Sequence, residues 1–401
     1  MKKEKIKPAP PLCPAVPTQQ GPQGIRYDFC CGCRVLLPAG DDTWHVTITD
    51  TETGTTFADA DYPGGARIMT TKKYFVPYAL RVRNNRSGEE WTHVMDLRGK
   101  PVAVHVVVST IGDVLAWFPY VERFRQKHGC EMFVCFKDPK YKPLLRRQYP
   151  EIKMVSVTQA RKLEAYAGYM LGLWWHGDMT CQPYDHRLVG LAQTAGYILG
   201  VDPEPEPPRL DLSAPRRIRE PYVCIAVQSS TMSKNWTHEG WRDIVHTLKL
   251  CGYRVLCMDR KREEGDGVSM MRMPEGAEDW TGDKPLQERI DIIKDADFFI
   301  GLASGLSWMA WGCGVPVVMI GGFSHPLTEF ATPYRVINPH FCNSCWNDTQ
   351  HDFCREDWMW CPRHAGTDRQ HECMRMITPE HVMRVISCIP VFRQHVGLEA
   401  Q

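Results

Sequence analysis

The sequence has no surplus of charge of either sign. Its 401 residues include 48 lysines and arginines and 47 aspartates and glutamates, which leaves a formal net charge of +1. Proteins that bind nucleic acid or anionic membrane surfaces usually carry a marked basic surplus or a basic stripe. The balanced composition therefore argues against both kinds of partner, and we expect no binding of nucleic acid.

Long apolar runs are also absent. No stretch approaches the roughly 20 apolar residues that a membrane-spanning helix requires, so the sequence predicts no membrane span. Residues 1–25 start with a basic cluster but have no apolar core, which does not fit a secretory signal peptide. Because this segment is rich in proline, we predict a disordered leader, and we expect the protein in the cytoplasm.

The chain is too long for one hydrophobic core, so two or more domains are expected. Residues 26–100 alternate apolar and polar side chains between Gly, Pro and Asp, which predicts a β-rich N-terminal domain. Residues 101–200 contain short buried-strand patterns separated by helical stretches, which predicts a Rossmann-like parallel sheet. Residues 201–221 hold six prolines and are predicted to be a stiff linker. The alternation restarts in residues 222–401, which predicts a second Rossmann-like domain.

An acidic residue follows the first buried strand. Asp113 closes the segment Ser109-Thr110-Ile111-Gly112-Asp113, where a helix is predicted to begin. Because ligands of open α/β sheets bind beyond the carboxyl ends of the strands, its carboxylate could accept a proton from an acceptor hydroxyl. The alternative is an ordinary acidic residue in a first helical turn, which the helix dipole favours, and the motif alone favours this alternative.

Two polar loops follow buried strands of the second predicted domain, at residues 228–236 and 301–308. Hydroxyls with one lysine suit a diphosphate, and the free N–H groups of a helix N-terminus bind phosphate without a cation. Ordinary polar turns remain the alternative for both loops. The candidate residues are Ser229, Ser230 and Lys234 in the first loop, and Ser304, Gly305, Leu306 and Ser307 in the second.

Cysteine is unusually frequent, at 17 residues, and four cysteines have metal-ligand spacing within residues 339–375. They are Cys342, Cys345, Cys361 and Cys373. A CxxC pair followed by two more cysteines in a polar loop predicts a closed, structural site for zinc or iron. Cys354 could replace one ligand, and a coincidental cysteine-rich loop is the alternative. The loop is distant in sequence from the other candidate sites, which suggests a structural role.

Taken together, these motifs resemble the bacterial autotransporter heptosyltransferases, which are protein O-heptosyltransferases related to the lipopolysaccharide heptosyltransferases. The resemblance covers nearly the whole chain from about Arg26. Its most specific parts are SGLSWMAWGCGVPVVMIGGFSHPLTEF and the cysteine loop beginning CNSCWND. It implies an α/β GT-B fold with two Rossmann-like domains and an added N-terminal β domain.

The resemblance also implies a reaction and partners. The donor would be ADP-glycero-manno-heptose, the acceptors would be serine hydroxyls of an autotransporter passenger, and the cell would be bacterial. It implies iron (Fe³⁺) at the four cysteines, with zinc as the alternative metal, and a ring-like dodecamer.

The family's site residues carry over by position. Asp113 matches the catalytic aspartate and would be the general base, and Lys234 matches the diphosphate lysine. The remaining donor-binding positions are Thr110, Gly112, Ser229, Ser230, Ser304, Gly305, Leu306 and Ser307. The metal ligands are Cys342, Cys345, Cys361 and Cys373.

Two other functions compete with this interpretation. A lipopolysaccharide-type heptosyltransferase would use a sugar acceptor, but the cysteine loop and the β-rich N-terminus argue against it. A non-catalytic, metal-binding adaptor could keep the fold without the reaction, but the presence of Asp113 and Lys234 argues against that.

Overall fold

The computed structural model describes residues 14–108, 110–175 and 179–398. The chain divides into two compact units. Unit 1 consists of Met1–Ser109, Trp117–His186 and Gln193–Glu204, and unit 2 consists of Thr110–Ala116, Arg187–Ala192 and Pro205–Gln401. The segment that carries Asp113 therefore groups with unit 2, although the sequence assigned it to the domain of residues 101–200.

Unit 1 is a mixed α/β unit that is rich in strands near its N-terminus. Its strands are β1 (Gln19–Gln20), β2 (Arg26–Cys30), β3 (Arg34–Leu36), β4 (Thr43–Asp50), β5 (Thr56–Pro63), β6 (Arg67–Met69), β7 (Tyr78–Asn84), β8 (Glu90–Val94), β9 (Pro101–Val106), β10 (Glu131–Phe136), β11 (Lys153–Val155) and β12 (Ala167–Leu171). Its helices are α1 (Ile111–His128), which begins in unit 2, α2 (Lys142–Arg146), α3 (Val157–Lys162) and α4 (Leu191–Leu199), which also begins in unit 2.

The main sheet of unit 1 has the strand order β11-β10-β9-β12-β2-β3-β6. The strands from β11 to β2 run parallel, with Val104 of β9 paired with Val134 and Tyr169 on either side. Because β9 is covered on both faces, its side chains from Val102 to Val106 are all buried, as its continuous apolar pattern predicts. The Rossmann-like arrangement expected from the sequence is therefore present.

The N-terminal strands are shared between two sheets. Strands β5, β4, β7 and β8 form a separate antiparallel sheet, whereas β2, β3 and β6 extend the parallel sheet. The predicted β-rich N-terminal region is confirmed, but it is not one isolated sheet. Pairing of Phe29 and Cys30 with β12 joins the two parts, and such long-range pairing leaves no local pattern in the sequence.

The predicted leader, residues 1–25, differs from the structure at its C-terminal end. Residues 1–13 lie outside the described part, but Gln19–Gln20 forms β1 and pairs antiparallel with β2. The Thr18 hydroxyl donates to the Ala165 carbonyl at 2.7 Å, and Arg26 Nε donates to the Pro17 carbonyl at 2.9 Å. These hydrogen bonds order a segment whose proline-rich composition predicted disorder.

Unit 2 contains a six-stranded parallel sheet with the order β17-β14-β13-β18-β19-β20 and a separate antiparallel hairpin. The strands are β13 (Tyr222–Ile225), β14 (Arg254–Cys257), β15 (Glu263–Gly265), β16 (Met270–Arg272), β17 (Glu278–Asp279), β18 (Phe299–Leu302), β19 (Val317–Ile320) and β20 (Arg335–Val336). The helices are α5 (His238–Leu250), α6 (Leu286–Ile293), α7 (Gly305–Gly312), α8 (Glu372–Arg375), α9 (Pro379–Ile386) and α10 (Pro390–His395). Residues 201–221, the predicted linker, contain neither helix nor strand.

One hydrophobic core holds this sheet and its helices together. Trp236 and Trp241 are fully buried in it, and their rings meet edge to face with centroids 5.4 Å apart. The Trp236 indole N–H also donates to the Ile377 carbonyl at 2.8 Å, which satisfies its polar atom inside the core. Trp236 therefore fixes the end of the loop that carries Lys234. Among the described helices, none is both long enough and apolar enough to span a bilayer.

Candidate active site

Asp113 lies in the first turn of α1 and is half-buried. Its carboxylate accepts a short hydrogen bond from the Thr110 hydroxyl. Burial raises the pKa of Asp113 above its usual range, although the Thr110 hydroxyl and the positive charges of Lys234 and Arg355 act in the opposite direction. The structure thus brings Asp113, Lys234 and Arg355 into electrostatic range of one another within unit 2.

Gly112 and Gly305 allow two loops to approach closely. A Cβ atom on Gly112 would lie 3.3 Å from Cδ1 of Trp308 and 3.4 Å from Cα of Gly305. A Cβ atom on Gly305 would lie 2.3 Å from Cγ2 of Ile111 and 3.1 Å from the Gly112 nitrogen. Both positions were predicted to bind donor, and the structure shows that each also brings the Asp113 turn against the N-terminus of α7.

This close approach predicts the effect of an added methyl group. Gly305→Ala should destabilise the protein by about 1–3 kcal/mol, because the new methyl collides with the stiff, β-branched Ile111. Chemical denaturation measures the change. Gly321→Ala is the matched control, because a Cβ there meets only Arg335 Nη1, at 3.9 Å. An unfolding midpoint for Gly305→Ala equal to that of the control would contradict the close packing of the two loops.

The predicted serines divide into two groups. The Ser307 hydroxyl is buried and donates to the Leu302 carbonyl at 2.6 Å, and the Ser229 hydroxyl lies 2.9 Å from both the Thr231 carbonyl and Asn235 Oδ1. Ser307 and Ser229 therefore stabilise their own loops. Ser230 is exposed, and Ser304 is the N-cap residue of α7 without a side-chain capping bond. Leu306, two positions after Ser304, is partly exposed in the first turn of α7.

Lys234 ends a single turn of 3-10 helix and is half-buried beside two aromatic rings. Its ammonium lies 4.8 Å from the ring centroid of Phe323 and 5.6 Å from that of Trp346. Burial lowers the pKa of Lys234, and the negative charges of Glu329 and Asp113 oppose this shift. Lys234 is thus a partly desolvated cation facing the candidate base.

The cysteine loop contacts the Lys234 loop directly. The Trp358 carbonyl accepts hydrogen bonds from the Thr231 hydroxyl at 3.0 Å and from the Met232 backbone N–H at 2.8 Å. Trp346 follows Cys345 in the sequence and supplies one of the two rings over Lys234. The sequence distance between the cysteines and the other motifs suggested separate sites, but in the structure the two loops are neighbours.

Three sulfurs of this loop lie within electrostatic range of the Cys373 thiol. Cys345, Cys361 and Cys373 are buried and Cys342 is half-buried. Burial raises the pKa of Cys373, and the neighbouring sulfurs of Cys345, Cys361 and Cys342 raise it further, to about 12. Arg363 Nη1 donates to Cys342 Sγ at 3.7 Å. The donor set suits a thiophilic ion such as iron or zinc.

A second set of potential ligands overlaps the first. Cys342, His364 and Glu372 place one ligand atom each within 4.8 Å of one another. Glu372, however, already accepts hydrogen bonds from Arg369 at 2.6 and 2.9 Å and from the Cys342 backbone N–H at 3.1 Å. A carboxylate held in this way is better suited to support the loop than to bind an ion. Cys354 is exposed, with its Sγ 3.7 Å from Glu356.

Several residues around Asp113 and Lys234 were not identified from the sequence. Phe323, Trp346 and Arg355 face Lys234 or Asp113, and Trp358 contributes a backbone carbonyl. Their contacts depend on how the cysteine loop folds back, which no local pattern encodes. The tryptophans of the loop were a signal in the sequence that the loop packs against other residues, because large aromatic rings are not required to bind a metal.

Known proteins match this chain over most of its length. A sequence model described as glycosyltransferase family 9 (heptosyltransferase) matches residues 192–359, and one described as the N-terminal domain of glycosyltransferase TibC matches residues 21–86. The autotransporter heptosyltransferase Aah of Escherichia coli is 48% identical over 377 residues, which is 93% of this chain and 95% of Aah. BimC of Burkholderia thailandensis, named an inactive autotransporter heptosyltransferase, is 40% identical over 94% of this chain and 88% of its own length.

A solved structure is similar over almost the whole chain. It is the crystal structure of the dodecameric, iron-containing heptosyltransferase TibC, from enterotoxigenic E. coli, in complex with ADP-D-β-D-heptose. The TM-score is 0.90 at 45% identity, and the match covers 95% of this chain and 99% of that chain.

Proposed function

Because the chain belongs to the autotransporter heptosyltransferases, a family of glycosyltransferases, we propose that it transfers heptose from ADP-glycero-manno-heptose to serine hydroxyls of an autotransporter passenger. The predicted enzyme class and GT-B fold class are confirmed by relatives that share nearly half of its residues. The acceptor and the roles of individual residues are our proposals. The observation that supports them best is that the Asp113 turn packs against the N-terminus of α7 and lies within electrostatic range of Lys234 in unit 2.

The donor's diphosphate is proposed to bind at Lys234 and at the N-terminus of α7. Lys234 supplies the charge, Ser230 and Ser304 supply hydroxyls, and the first-turn N–H groups at Gly305, Leu306 and Ser307 face the phosphate. Thr110 and Gly112 border the same site through their contacts with Asp113 and Gly305. These groups stabilise the charge that develops on the departing ADP.

Asp113 is proposed to be the general base. Its carboxylate accepts the serine proton while the serine oxygen forms a bond to the anomeric carbon. The bond from that carbon to the diphosphate breaks, and ADP leaves with the electron pair. The raised pKa of Asp113 gives its carboxylate a higher proton affinity than an ordinary aspartate, which suits a general base that acts near neutral pH.

The test of this function is transfer to a protein. Each candidate autotransporter is coexpressed with this chain, and its passenger is analysed by mass spectrometry. Heptose on serine-containing peptides would support the proposal. Transfer of radiolabelled heptose to a lipid-linked sugar instead would favour the lipopolysaccharide-type alternative.

A non-catalytic role is the second candidate function. It is favoured by one observation, namely that a relative 40% identical to this chain is named inactive. Absence of ADP release from ADP-heptose in the presence of every passenger tested would support this alternative.

Iron is the metal that we propose for Cys342, Cys345, Cys361 and Cys373, with zinc as the alternative. Four thiolates close the coordination shell and leave no open position, so the ion would order the loop and not act on the substrate. Among the described residues, only Cys342, His364 and Glu372 place three potential ligand atoms within 4.8 Å of one another. We favour the four cysteines because Glu372 is already occupied by hydrogen bonds from Arg369.

The metal site makes a direct prediction. Elemental analysis of the purified protein should find about one ion per chain. Cys361→Ser should lose most of this metal and become less soluble, because the polar loop gains little stability from hydrophobic burial. Cys354→Ser is the matched control and should keep the ion. A folded wild-type protein without metal, or a Cys354→Ser protein that loses it, would overturn the ligand set.

Assembly and location are proposed on the same basis. The TibC crystal structure is described as dodecameric, and we propose the same ring-like homo-oligomer for this chain, in the bacterial cytoplasm where ADP-heptose would be available. Light scattering on the purified protein tests the number of subunits.

A further inference from the structure

The Lys234 ammonium lies beside two aromatic rings that come from different segments of unit 2. Phe323 follows β19, and Trp346 lies in the cysteine loop. Their ring centroids are 5.7 Å apart with planes inclined by 45°, and the ammonium is 4.8 Å from the first and 5.6 Å from the second. Both distances are within the range of cation–π attraction.

The same loop also fixes the backbone that precedes Lys234. The Trp358 carbonyl accepts from the Thr231 hydroxyl and from the Met232 N–H, and Thr231 is fully buried. The cysteine loop therefore positions both the side chain of Lys234 and the backbone before it. It does so through Trp346 and Trp358, which are twelve positions apart in the sequence.

We propose that Trp346 is a positioning residue for donor binding, which holds the Lys234 ammonium where the diphosphate of a nucleoside diphosphate docks. This inference rests on the proposed role of Lys234. In this proposal the cysteine loop is part of the donor site, and disorder of the loop would weaken the binding of the nucleotide.

The physical basis is preorganisation. A free lysine side chain has many rotamers, and a ligand that binds it must first restrict them. A ring beside the ammonium keeps the side chain in one position and shields it from water before the nucleotide arrives. Loss of this restriction should weaken nucleotide binding by roughly two- to tenfold.

The experiment measures ADP binding by calorimetry with the full-length protein. Trp346→Leu removes the ring and should weaken ADP binding by about fivefold, whereas Trp346→Phe keeps an aromatic face and should restore most of the affinity. Phe353→Leu is the matched control. Phe353 belongs to the same aromatic cluster, with its ring 5.6 Å from Trp346 and 5.2 Å from Trp360, but it is not one of the rings over Lys234. Its replacement should leave ADP affinity within about twofold.

A double-mutant cycle separates positioning from general damage to the loop. In a Lys234→Met background there is no ammonium to position, so adding Trp346→Leu should change ADP affinity by less than about twofold. Metal content and oligomeric state are measured for every variant. An equal loss of affinity in both backgrounds, or an equal loss with Phe353→Leu, would overturn the proposal.

Two further outcomes are informative. If Lys234→Met itself leaves ADP binding unchanged, the proposed donor role of Lys234 fails, and this inference fails with it. If Lys234→Met weakens binding but Trp346→Leu does not, only the positioning role is overturned. Should Trp346→Leu not fold, Trp346→Met replaces it in the same cycle, with the same expected loss.

Discussion

Asp113→Asn is expected to slow heptose transfer by roughly 10²–10⁴-fold, which is the usual contribution of a general base. The amide has nearly the shape of the carboxylate and can still accept the Thr110 hydrogen bond, so the first turn of α1 should keep its structure. It cannot take up the serine proton. Transfer is measured under single-turnover conditions with a passenger acceptor, and ADP-heptose affinity is measured separately.

Thr110→Val provides a graded control for this prediction. The Thr110 hydroxyl lowers the pKa of Asp113, so its removal should raise that pKa further. A base must be deprotonated to act, and the acidic limb of the rate profile should therefore move to higher pH. The rate at high pH should stay close to that of the wild type. Full activity of Asp113→Asn, or a Thr110→Val profile that moves to lower pH, would remove Asp113 from the role of base.

The strands that place Asp113 could be predicted because their signal is local. A continuous apolar run such as Pro101–Val106 has few alternatives to a buried parallel strand, and the polar turn after it falls at the edge of the sheet where ligands bind. The cap of α9 is equally local. Thr378 followed by Pro379 is a typical helix start, and the Thr378 side chain accepts from the His381 N–H.

The contacts that complete the site could not be predicted in this way. Gly305 and Ile111 are almost 200 residues apart, and only the folded unit shows that a methyl group on Gly305 would strike Ile111. The sequence marked Ser229 and Ser307 as candidate donor-binding residues. It could not show that their hydroxyls are used within those loops, because that depends on carbonyl positions fixed by tertiary packing.

The position of the cysteine loop could not be predicted from the sequence either. The spacing of its cysteines identified four candidate metal ligands, because thiolates are among the few side-chain groups that bind zinc or iron. The spacing carried no information on where the loop lies. The rings of Trp346 and Phe323, together with the Trp358 carbonyl, place the loop beside Lys234, and these contacts are the basis for the proposed contribution of the loop to donor binding.

Lys234→Ala is expected to weaken ADP-heptose binding by about 1.5–3 kcal/mol, which corresponds to roughly 10- to 150-fold in affinity. The ammonium is half-buried, so its hydrogen bond to a phosphate would form in surroundings with less water to compete. The shift in the pKa of Lys234 is opposed by Glu329 and Asp113, which favour the charged form. Once the lysine is gone, its charge no longer offsets the charges of Asp113 and Glu329 near the donor's diphosphate, and this adds to the loss.

A matched lysine tests whether the effect is specific to this position. Lys284 also lies over an aromatic ring, with its ammonium 5.4 Å from the Trp280 centroid, but it pairs with Glu288 on α6. Lys284→Ala removes the same charge and a similar cation–π contact, and it should leave donor affinity unchanged. If calorimetry gave Lys234→Ala the wild-type affinity, or if both alanine variants lost affinity equally, the donor's diphosphate would not be bound by Lys234. The helix amides of α7 would then remain as the phosphate-binding groups proposed for this unit.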